Sequence, residues 1–166
     1  MDLENNTTKK AYVQLLADIL EKKLIVLKRL TGITEQQEKL ISSDTLFEEE
    51  LFLETISLKE EQIQNLSKLD TGFEQVYESV KEELDGNKEN YVKEISLLKE
   101  QISNITDMSV KLQVLEKRNK SKLELVFTQK RREIKNARIS SQTATSYYKS
   151  MANNHKPESF FYDKKN

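Results

Sequence analysis

The sequence predicts an all-α fold: an elongated antiparallel helical hairpin or three-helix bundle with a very long third helix and a C-terminal tail. Three observations carry that expectation. Between residues 87 and 138, alternating steps of four and three fall on Tyr91, Ile95, Leu98, Ile102, Ile105, Ser109, Leu112, Glu116, Asn119, Leu123 and Val126, the seam of a helix packed on other helices. Only three Gly and one Pro punctuate 166 residues, too few turn residues for a sheet protein. With 33% charged and 36% hydrophobic residues, the chain has the balance of long amphipathic helices. An uninterrupted helix over 87–138 would be about 75 Å long at 1.5 Å per residue, so the molecule should be elongated.

The first helix is expected from Thr7 or Thr8 to Ile41. Its apolar stripe of Tyr12, Leu16, Ile19, Val26, Leu30, Ile33 and Leu40 also carries Lys23 and Gln37, and a second stripe beside it holds Val13, Ala17, Leu20, Leu24 and Leu27. Two adjacent stripes mean two neighbours, so this helix should lie between others. Gly32 costs about 1 kcal/mol relative to Ala within a helix, and continuity through it is expected. Ser42, Ser43 and Asp44 form a corner, after which Thr45 and Glu48 offer a capping box for the second helix.

That second helix carries Leu46, Leu53, Ile56, Ile63 and Leu66, with Phe52 and Leu58 alongside, and should run antiparallel to the first. Asp70-Thr71-Gly72 is expected to interrupt it, with Thr71 and Glu74 capping a shorter helix through Phe73, Val76 or Tyr77, Val80 and Leu84. Asp85-Gly86-Asn87 then turns the chain into the long third helix. After Leu123 and Val126 the seam of that helix gives way to Lys130 and Glu133, and the support of neighbouring helices should weaken; before that it takes up Glu116 and Asn119. A polar residue such as Asn119 in the seam fixes register at some cost in stability.

Net charge is −1, unevenly laid out. Residues 35–89 hold sixteen acidic and five basic side chains, residues 111–138 ten basic and three acidic. The expected arrangement sets the acidic run at 48–54 against the basic stripe at 117–138. A nucleic-acid role for Lys130, Arg131, Arg132, Lys135 and Arg138 is disfavoured, because no binding module surrounds them and the acidic region repels phosphate. No nucleic-acid partner is therefore expected.

There is no Cys, and the single His155 stands in a polar tail, so neither a thiolate nor an imidazole cluster for a metal is expected. The Glu pairs fall on exposed helix faces where nothing raises their pKa towards acid catalysis, and no Gly-rich phosphate loop exists. The expectation is a protein with no enzymatic activity and no cofactor. The polar start and the absence of a long apolar run point to no signal peptide, no membrane span and a cytoplasmic location.

Two regions are expected: a helical body over 1–138 and a partly disordered docking tail over 139–166. The last twenty residues hold Tyr147, Tyr148, Phe160, Phe161 and Tyr162, five of the twelve aromatics. Ala144, Tyr147, Tyr148 and Met151 share one face of a possible helix that would have to bury that face elsewhere. Docking on another protein and folding back onto the body are both open; with docking, Ala144, Tyr147, Tyr148, Met151, Phe160 and Phe161 are the candidate binding residues.

Several segments together resemble the FlgN-type (FlgN/FliT-like) flagellar export chaperones. They are Leu15-Leu16-Ala17-Asp18-Ile19-Leu20-Glu21-Lys22-Lys23-Leu24 and the stretch 30–41 in the first helix, then Leu58-Lys59-Glu60-Glu61-Gln62-Ile63 leading to Leu66-Ser67-Lys68-Leu69-Asp70 and Phe73. Later come Leu115-Glu116-Lys117-Arg118-Asn119 and Ala144-Thr145-Ser146-Tyr147-Tyr148. Ser140-Ser141 stands where the family often has a Gly. The resemblance implies a cytosolic chaperone of type III flagellar export that keeps hook-associated (hook-filament junction) proteins unassembled and delivers them to export-gate components, its C-terminal region engaging the guest. Tyr147, Tyr148 and Met151 would then be the central anchors. The rival expectation is a coiled-coil scaffold with no export role, self-associating as a homo-oligomer through the twin stripes of the first helix.

Overall fold

The computed structural model describes residues 2–42, 46–129 and 143–150. Three long helices, α1 (Asp2–Ser42), α2 (Glu49–Gly86) and α3 (Val92–Gln129), run up, down and up, and a 3-10 turn at Lys88–Tyr91 leads into α3. The fold is all-α, with a further helical segment at 143–150.

α1 begins earlier than the Thr7 or Thr8 start expected. Neither threonine caps; their hydroxyls instead donate to the Leu3 and Glu4 carbonyls at 2.8 and 2.9 Å, inside the helix. The helix continues through Gly32, which has no positive φ and faces open space. In the first stripe Leu16, Val26 and Leu30 are buried, Ile19, Ile33 and Leu40 half-buried and Tyr12 exposed, and most of the second (Val13, Ala17, Leu20, Leu27) is buried. Both stripes are used within the chain, because α1 packs along both α2 and α3 while the α2 and α3 backbones hardly approach each other.

The break expected at Asp70-Thr71-Gly72 is absent, and α2 is one helix. The Thr71 hydroxyl donates to the Ser67 carbonyl at 3.0 Å, as it can mid-helix, and so caps nothing. Asp70 pairs with Lys23 of α1 at 2.6 Å. A Cβ on Gly72 would stand 4.0 Å from Ile19 Cδ1, an ordinary contact, so tertiary packing carries the helix across a tripeptide that locally favours a turn. At the start of α2, Glu48 is the N-cap residue with no side-chain cap bond, and Thr45 lies outside the described residues. Leu46, ahead of the helix, and Leu58 are exposed rather than in the core. The turn at Gly86 and Asn87 is as expected: the Asn87 amide donates to the Glu83 carbonyl at 3.0 Å and closes the last turn.

Level contacts fix the register. Lys9 meets Glu83 at 3.2 Å and Lys23 meets Asp70, as antiparallel helices require. Gln101 Nε2 donates to the Ala17 carbonyl at 3.0 Å and Asn119 Nδ2 to the Thr34 carbonyl at 2.9 Å, which sets α3 parallel to α1. This register also corrects the expected charge pairing. Arg118 and Lys122 of α3 both reach Glu38 of α1, at 3.0 and 3.1 Å, not the acidic run at 48–54, because α3 lies beside α1 at that height. Residues 130–138 lie outside the described residues.

The apolar interior falls into two clusters. The larger holds Leu16, Leu27, Leu66, Phe73, Val80, Tyr91, Leu98 and Leu112 among others; the smaller, near the ends of α1 and α3 and the start of α2, holds Ile41, Phe52, Ile56, Leu123 and Phe127. α3 is therefore supported from Leu112 to Phe127, and Lys130 and Glu133, where support is expected to weaken, lie outside the described residues. Glu116 and Asn119 are buried with partners on α1 and α2, Lys59 and Thr34 for the carboxylate and the Thr34 carbonyl for the Asn119 amide nitrogen, and the apolar seam resumes beyond them.

Candidate helix-docking site

The polar layer between the two cores belongs to the seams themselves. Phe52, Ile56, Lys59, Ile63 and Leu66 follow the four-three spacing of α2, so Lys59 occupies a core position of a helix whose neighbouring seam residues are apolar. Glu116 occupies the equivalent position on α3 and Gln37 on α1. Lys59 Nζ contacts Glu116 Oε1 and donates to Gln37 Oε1 at 2.9 Å. Gln37 Nε2 in turn donates to Thr55 Oγ1 at 3.0 Å, and the Thr34 hydroxyl shares its proton between Glu116 Oε1 at 3.2 Å and the Leu30 carbonyl at 2.7 Å.

Both members of the ion pair are almost fully removed from water, with 3% and 4% of their side chains exposed. Burial alone pushes the Lys59 ammonium down to about 7, and the carboxylate touching it pulls the other way. Such a pair contributes little net stability over an apolar replacement, but leaving either charge alone is expensive. What it does provide is position, since only one register of α1, α2 and α3 brings Gln37, Lys59 and Glu116 together.

The 143–150 helix sits on this layer. Tyr148 is 1% exposed, within the larger core, and its ring centroid stands 5.5 Å from Lys59 Nζ. Ala144 and Thr145 are buried as well, and Tyr147 is half-buried, its ring edge-on to Tyr148 at 5.9 Å. Burial raises both phenols above their ordinary pKa. α1 closes its sides against α2 and α3, so the remaining way in for a tail ring is the groove between α2 and α3. A cleft of about 240 Å³ lies beside the segment, lined by Ile56, Ile63 and Gln64 of α2, Gln37 of α1, and Ala144 and Tyr147.

Of the two alternatives that the sequence leaves open, these positions show the segment folded back onto the body. Ala144 and Tyr148 do not form an exposed face awaiting a partner; the body supplies the groove that an amphipathic helix of this kind requires, and the segment takes it. Met151, Phe160 and Phe161 lie outside the described residues. The residues that sequence reasoning passed over are Lys59, Thr34 and Thr55. The signal was present: a lysine in phase with Ile56 and Ile63 on one helix and a glutamate in phase with Leu112 and Leu123 on another are complementary interruptions of two seams.

Among the described residues, no group of three metal-ligating side chains is assembled, and no helix is long and apolar enough to cross a membrane. No protein-family model, curated protein or solved structure matches the chain.

Proposed function

We propose that this chain is a non-enzymatic helix-binding chaperone of the FlgN type, which keeps a hook-associated protein unassembled in the cytoplasm by covering one of its terminal helices. The family assignment rests on the resemblance of the motifs quoted above. The observation that supports the mode of action is the seating of the 143–150 helix. A short amphipathic segment with two adjacent tyrosines packs on the body beside Lys59 with one ring in the core. A groove that accepts one such helix has the shape and chemistry to accept another. In the free chain the tail segment fills the groove; with a guest present, the guest helix takes its place. The work is physical, an exchange of one buried apolar face for another, with no bond made or broken.

Calorimetric titration of the full chain with a hook-associated protein of the same organism tests this reading. Saturable one-to-one binding is expected, and removal of residues 143–166 should tighten it, because the groove no longer has to be emptied. No heat of binding with either form overturns the reading. Loss of binding on truncation makes the tail itself the anchor, as the sequence first suggested, and overturns the placeholder role.

The scaffold alternative loses the surface assigned to it, since α1 spends both stripes inside the chain. Val110, Val114 and Leu125 on α3 remain exposed as its apolar support. Light scattering separates the two readings: a constitutive oligomer favours the scaffold, a monomer that changes only with guest favours the chaperone.

A further inference from the structure

The α2–α3 groove does not end in a purely apolar floor. At its base stands an ammonium group, Lys59 Nζ, facing the Glu116 carboxylate, the Gln37 amide oxygen and the Tyr148 ring. Each of these three partners suits a cation: two present oxygen acceptors and the third an aromatic ring 5.5 Å away, within the range at which a ring attracts an ammonium. The Tyr148 hydroxyl, by contrast, is buried and finds no hydrogen-bond partner among the described residues. The ring of Tyr148 makes the specific contact; its oxygen makes none.

We propose that Lys59, held charged by Glu116, is the residue that selects what the α2–α3 groove holds: it requires an aromatic ring at the place of Tyr148, and the 143–150 helix stays docked because it brings one. An aliphatic side chain there would cover the same apolar walls while leaving one face of the ammonium against hydrocarbon, which a buried charge does not tolerate without cost. The pair thus reads the occupant as well as fixing the register of the three long helices. Under the functional reading above, on which this extension rests, a guest helix that takes the groove must present a ring at the same spot.

The test is a double-mutant cycle on amide hydrogen exchange of residues 143–150 in the full chain, with no guest present. In the otherwise unaltered protein, Tyr148→Leu should speed that exchange about tenfold, the scale of a desolvated cation–ring contact. The same substitution should change it less than threefold when Lys59→Met and Glu116→Leu together replace the ion pair by apolar groups. Equal effects in the two backgrounds, or any effect of threefold or more in the second, overturn the proposal.

Tyr148→Phe supplies a measurement that needs no change to the pair. It should keep exchange within threefold of the unaltered chain, since the hydroxyl contributes no bond, and a Phe variant as loose as the Leu variant overturns the proposal. Because the cycle uses no guest, its failure leaves the export reading standing, and failure of the guest titration leaves the cycle standing.

Discussion

Lys59 and Glu116 each occupy a place where a leucine would fold as well, and their value shows in what happens when one is removed. Lys59→Ala strands a carboxylate in the interior and should cost about 3–5 kcal/mol in urea unfolding followed by circular dichroism, whereas Lys59→Met with Glu116→Leu should be about neutral or stabilising. Glu116→Gln isolates the other charge and carries a pH signature. Burial already lowers the Lys59 pKa to about 7 from an ordinary 10.5 in the parent chain, and the substitution removes the neighbour that favours the charged form. Between those values the unfolded chain holds a proton that the folded chain does not, so the stability of the parent chain should rise with pH from about 7 to about 10. The variant should show the same rise beginning at lower pH; rises that begin together would mean that the two groups do not interact. Both residues were visible as polar members of a seam, but their pairing was not, because the sequence does not state the register of α2 against α3.

At the level of elements, periodicity was a sound guide and turn chemistry a poorer one. The α3 seam from Tyr91 to Leu123 is buried or half-buried at every position read from the sequence, since a four-three repeat has few ways to be satisfied other than against neighbouring helices. The twin stripes of α1 correctly implied two neighbours. Asp70-Thr71-Gly72 misled because its preference for a turn amounts to about 1 kcal/mol, less than Leu66, Phe73 and Tyr77 gain by staying in helical phase against α1 and α3. The helical glycines offer a direct check. Gly32→Ala places a methyl group where nothing lies within 4 Å, so it should raise stability by about 0.5–1 kcal/mol in thermal unfolding. A loss of stability would indicate a neighbour at Gly32 that this fold does not have. The tail was legible as an amphipathic helix, but an apolar face reads identically whether it will be buried at home or on a partner, and only the groove beside Lys59 decides it.

For the molecule as a whole, three helices of 41, 38 and 38 residues give a rod rather than a sphere. At 1.5 Å per residue α1 spans about 60 Å, which small-angle scattering should reproduce as a maximum dimension of at least that length. The long dimension matters for function because α2 and α3 are each much longer than the eight-residue segment docked on the body. Site-resolved hydrogen exchange with a hook-associated protein added is the measurement closest to the central claim of an exchangeable helix at that place. The account predicts that amides of 143–150 lose protection as the segment leaves, while α2 around Ile56 and Ile63 keeps or gains it under the guest. A bound guest that leaves the protection of 143–150 unchanged would contradict the account.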